Sequence, residues 1–121
     1  MAKIKVNFSM KNEDVVQSFE TKGIMQDNQI TFYDDNKEKH HLTMLNNQLK
    51  YVREGEKSLS FLFESNKEHH GTYEIASQQM AFTTQTHQLV MHDGLIKLTY
   101  TLKQGSVIVG HAELKLSYAR I

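Results

Sequence analysis

Apolar and polar residues alternate with a period of two along almost the whole chain. Ile4, Val6, Phe8 and Met10 are interleaved with Lys3, Lys5, Asn7 and Ser9. The same alternation runs through 59–63, 71–75, 96–102 and 110–118. Successive side chains of a strand point to opposite faces, so each run predicts a strand with one buried and one wetted face. Such strands usually belong to antiparallel sheets. Asp27-Asn28, Asn46-Asn47, Glu54-Gly55, His92-Asp93-Gly94 and Gln104-Gly105 separate the runs and suit tight hairpins. The pattern predicts eight to ten strands joined by short hairpins, no long helix, and at most a short helical turn near 14–18. Successive hairpins favour an up-and-down barrel, whose closure removes exposed sheet edges.

Composition narrows the function classes. The 121 residues fit one domain, 1–121, large enough to fold without staples. There are no cysteines, which excludes disulfides, thiolate metal sites and a thiol nucleophile. Lys plus Arg and Asp plus Glu both number 14, so the net charge is zero. No long-range field would draw phosphates, and neither nucleic acid nor membrane is expected as a partner. The first ten residues lack a signal-like apolar run, and cytoplasmic location is the expectation. Neutrality also favours self-association, and a homodimer formed through a sheet face is the second functional reading. Val52, Leu62, Leu95 and Val109, apolar residues on the polar parity, are its motivation. The stretch from Asp34 to Lys39 mixes charge signs and reads as a solvated hairpin loop.

Several short stretches occur in an order seen elsewhere. They are Thr21-Lys22-Gly23, Tyr51-Val52-Arg53-Glu54-Gly55, Gly71-Thr72-Tyr73, Phe82-Thr83-Thr84-Gln85-Thr86, Leu98-Thr99-Tyr100-Thr101-Leu102 and Ala112-Glu113-Leu114-Lys115-Leu116. From about residue 21 to 118 the chain resembles the YwiB-like family of Gram-positive bacteria, uncharacterised calycin-like barrels. The resemblance implies a closed, calycin- or lipocalin-like barrel and a small, partly apolar ligand. It implies no activity.

Arg53 is the leading candidate contact. It shares parity with Leu49 and Tyr51, so it points inward where they do. A buried guanidinium needs a carboxylate, carbonyls or an anionic ligand, because an unpaired charge inside costs several kcal/mol. Calycin-like barrels that hold fatty acids meet the carboxylate with interior arginine and tyrosine. That makes Arg53, Tyr51, Tyr73, Thr84 and Tyr100 the candidate set for an apolar or anionic molecule. The plainer reading puts Arg53 at the barrel mouth and the tyrosines in the core, hydroxyls at the rim. No cofactor is implied, and no metal, because His40-His41 and His69-His70 are neighbours facing opposite ways. Convergence of two or three of His70, His87 and His111 from separate strands beside a pocket is the one arrangement that favours an enzyme. No catalytic motif supports one, and most histidines share the polar parity and read as solvated. Phenylalanines and methionines would line an apolar cavity or simply fill the lumen.

Overall fold

In a computed structural model covering residues 1–121, the alternation becomes ten strands and no helix. They are β1 (Ala2–Asn12), β2 (Val15–Gln26), β3 (Gln29–Tyr33), β4 (Lys39–Leu45) and β5 (Gln48–Glu54), then β6 (Lys57–Glu64), β7 (Glu68–Ile75), β8 (Gln78–His92), β9 (Leu95–Gln104) and β10 (Val107–Arg120). Each pairs antiparallel with its sequence neighbours, and β1 pairs with β10 to close the barrel. The expected calycin-like barrel is therefore present, at the upper end of the expected strand count.

Turn chemistry explains most of the hairpins. Asp27, Asn47 and Asn66 take positive φ, as short polar residues can at little cost. The helical turn considered near 14–18 is absent. Glu13 adopts φ 54°, and the chain reverses at once, so that Asn12 faces Val15. The β7–β8 turn had no Gly or Asn signal, because Ala76 and Ser77 carry the positive φ themselves.

The inward parity supplies the core. Ile4, Val6 and Phe8 of β1 meet Ile30, Phe32, Leu42, Leu49, Phe63, Ile96, Leu98, Leu114 and Leu116, all buried in the middle of the lumen. Each such burial contributes about 1.5–3 kcal/mol. A bulge between Thr86 and Gln88 switches β8's inward set from Thr84 and Thr86 to Leu89 and Met91. One end of the barrel carries the turns after β1, β3, β5, β7 and β9. The other carries the remaining turns and both termini.

Two seams are thin. The β2–β3 ladder holds only from Gly23 opposite Phe32 to Gln26 opposite Gln29. The β6–β7 ladder holds only from Lys57 opposite Ile75 to Ser60 opposite Thr72. Beyond the second seam the Phe61 ring packs where a Gly71 side chain would be.

Candidate functional site

At the end that carries the β3–β4 loop, five ionisable side chains converge, and most are buried. Tyr51 and Arg53 reach it on the inward parity of β5, and His40 on that of β4, in line with Leu42. Asp34 and Glu38 come from the loop itself. The expectation of a solvated loop is thereby corrected, since Asp34 is 7% exposed and Glu38 8%. His40, 1% exposed, likewise corrects the reading of the histidines as solvated. The loop folds inward because Asp34 Oδ1 accepts the N–H groups of Asn36 and Glu38, at 2.8 and 3.0 Å.

The hydrogen bonds assign the protons. Asp34 can only accept, so His40 Nε2–H donates to Oδ2 at 2.9 Å. Nδ1 is then the acceptor and Tyr51 O–H donates to it at 2.7 Å. Burial pushes the His40 pKa down, outweighing the support of Asp34, and the ring is neutral. Asp34 also lies below its ordinary value. Burial opposes its charge, but the His40 and backbone hydrogen bonds prevail. Burial raises the Tyr51 pKa, so this hydroxyl is a structural donor and not an activated one. The His40 ring stacks on Phe32 at 4.8 Å between centroids, with Phe8 at 5.5 Å.

Arg53 Nη2 donates to Glu38 Oε1 at 2.6 Å and lies 3.6 Å from Asp34 Oδ2. Its pKa is raised, because the Glu38 hydrogen bond outweighs the cost of burial. Glu38 also accepts the Lys57 N–H at 3.3 Å, strapping the loop to β6. It lies so close to Gly55 that a Cβ there would be 2.7 Å from Glu38 Cγ. The need of the inward guanidinium for a carboxylate is thus met twice by the protein. Arg53 Nε, however, is buried without a partner. Arg53 borders an open mouth of about 720 Å³ that Gln17, Lys37, Lys57 and Tyr73 also line.

Of the five candidate residues, the structure brings Arg53 and Tyr73 to this mouth, buries Tyr51 beneath it against His40, and places two apart. Thr84 is buried and donates to Leu62 C=O at 2.9 Å, closing the loose part of the β6–β7 seam. Tyr100 packs on Phe63, centroids 4.7 Å apart, and burial raises its pKa to about 12. Sequence reasoning missed Asp34, Glu38 and His40. The parity His40 shares with Leu42 was a usable signal, whereas nothing local places the two carboxylates.

The opposite mouth is larger, about 1140 Å³, and Met25, Met44, Leu89, Met91 and Tyr118 line it. At its rim Glu64 accepts hydrogen bonds from Gln48 and His69, with Lys67 at 3.1 Å. These bonds, that of Gln48 foremost, lower the Glu64 pKa to about 2. On the outer wall His87 Nε2 and His111 Nδ1 converge on the Thr101 hydroxyl, at 2.6 and 2.8 Å. His70 stays away, 3.5 Å from Thr83. Thr101 is 2% exposed, too enclosed to serve as a nucleophile. No group of three or more His, Asp or Glu side chains is arranged to hold a metal.

The architecture defines the class: a closed, ten-stranded antiparallel barrel of calycin-like form with a buried Asp–His–Tyr chain and an Arg–Glu pair at one mouth. Within that class the chain belongs to a family described as a domain of unknown function, DUF1934, whose model matches residues 3–116. The crystal structure of the ywiB protein from Bacillus subtilis superposes with a TM-score of 0.77 at 15% identity, covering 99% of this chain and 92% of that one. No curated protein matches the sequence.

Proposed function

We propose that this protein is a cytoplasmic small-molecule-binding barrel whose ligand sits in the mouth at Arg53. The observation that carries the reading is Arg53 Nε, buried and unpartnered beside an open mouth of about 720 Å³. An unsatisfied buried donor costs about 1–3 kcal/mol, which a ligand acceptor would recover. Glu38 and Asp34 already balance much of the guanidinium charge, so a full anion is not required there. Lys37 and Lys57 line the same mouth and would favour a carboxylate over a neutral carbonyl. Tyr73, edge-on to Phe82 with centroids 6.2 Å apart, offers a wall for an apolar part. Phe32, Phe63 and their neighbours occupy the lumen beyond, which favours a ligand at the mouth over one deep in the barrel.

Native mass spectrometry of protein purified gently from its own host tests this. A stoichiometric small molecule bearing a carbonyl or carboxylate is the expected result. Arg53→Ala should lose it, and Arg53→Lys, which keeps the charge but not the fork, should hold it weakly. A molecule retained by Arg53→Ala but lost from Met91→Asp would place binding at the opposite mouth and overturn the assignment.

A further inference from the structure

The two mouths of the barrel carry opposite charge. At the first, Lys37, Arg53 and Lys57 outnumber Glu38 and Glu56. Asp27, Glu64 and Asp93 line the second, and no lysine or arginine does. Glu64 is engaged by Gln48, His69 and Lys67. Asp27 and Asp93 join no ion pair, although Met1 and Arg120 border the adjoining crevices. Turn chemistry puts both carboxylates at the rim. Asp27, at φ 54°, turns the β2–β3 hairpin, and Asp93 precedes Gly94, at φ 84°, in the β8–β9 hairpin. Beneath them the floor is apolar and only half-buried. Met25, Met44, Leu89 and Met91 rest on the core with part of their surface open to the mouth. Tyr118 reaches from β10 across to β4, its hydroxyl 3.9 Å from Met44 Sδ, so its ring joins that floor. A thioether is a weak acceptor, which leaves this hydroxyl without a strong partner.

A concavity of about 1140 Å³ over an apolar floor is large enough to hold a small organic molecule. We infer that this second mouth binds an organic cation with an apolar body, an amine or a quaternary ammonium compound. The apolar body lies on the three methionines, whose unbranched, polarisable side chains adapt to variable shapes. The cationic head stays at the rim, where Asp27 and Asp93 are the free countercharges and the Tyr118 ring offers a cation–π surface. An anion at the same place would meet three carboxylates and no fixed cation. The mouth therefore selects by charge as well as by shape, and with the sign opposite to that of the Arg53 mouth.

Methionine-methyl NMR on the full chain tests this with octyltrimethylammonium, octanol and octanoate, which share an eight-carbon chain. His92 is the one basic group at the rim, so the titrations run at pH 8. The cation should shift the methyls of Met25, Met44 and Met91 and leave those of Met10 and Met80 unmoved. Met80, opposite Tyr73 in the β7–β8 ladder, reports on the Arg53 mouth instead. The cation should bind about tenfold more tightly than octanol at low salt, with the gap closing toward molar salt, and octanoate should bind here most weakly. Asp27→Asn combined with Asp93→Asn suits the same turns and should bring the cation and octanol level. Arg53→Ala should leave the cation titration unchanged, so failure of either site reads separately from failure of the other. Equal binding of cation and octanol by the native chain would overturn the inference. So would a cation preference that survives loss of both carboxylates, or no shift at the three methionines up to millimolar cation. Shifts of the same size at Met10 and Met80 would mark indiscriminate binding and overturn it as well.

Discussion

His40 and Asp34 hold the most consequential bonds at the scale of single residues. The neutral imidazole connects a carboxylate to a phenol inside the barrel, one ring nitrogen bonded to each. Asp34→Asn keeps the shape and loses the charge, and should lower stability by about 1.5–3 kcal/mol in urea titration. The pH dependence has a defined sign. The folded pKa of His40 lies below its ordinary 6.5, so the unfolded chain takes up that proton more readily. Stability should be full above pH 6.5 and fall as the pH drops through and below it. Asp34, lowered from 3.8, adds a second loss below that value. Thermal melts from pH 8 to 4 should show the first decline, and His40→Gln should remove it. An unchanged slope in that variant would sink the account.

Among the elements, the weak place is the seam between β2 and β3. It carries four residue pairs, against eleven between β1 and β2, so each of the four matters more. Gly23 opens this short ladder. A Cβ there would lie 2.6 Å from the Thr31 carbonyl oxygen and 3.1 Å from Phe32 Cβ, and backbone cannot step aside cheaply. Gly23→Ala should cost about 1–3 kcal/mol by overpacking. Hydrogen exchange should show β3 losing protection before the β8–β9 pair does. The periodicity of two made nearly all these strands legible. It could not show where ladders stop, because pairing depends on the paths of two strands and periodicity describes one.

For the whole molecule, closure makes the barrel cooperative, because β1 must find β10 across more than a hundred residues before the core is sealed. Phe63 packs on Phe61 and Tyr100 in the middle of that core. Phe63→Ala should cost about 3–5 kcal/mol, measured by urea unfolding as a single transition that shifts as a unit. Long-range pairing on this scale also predicts folding in milliseconds to seconds, readable by stopped-flow fluorescence.

Alternation and turn residues alone determined that the chain is a run of antiparallel strands joined by hairpins and which face of most strands is buried, because both are local properties of φ, ψ and side-chain parity. They also put Arg53 inside, since parity carries from Leu49 and Tyr51 along one strand. The sequence could not say what neutralises Arg53. Asp34 and Glu38 sit in a loop whose inward fold depends on four hydrogen bonds and on the absent side chain of Gly55. Tertiary structure decided that Tyr73 shares a mouth with Arg53 while Thr84 and Tyr100 do not. Depth along a barrel axis is set by strand stagger between neighbours, which no single strand records.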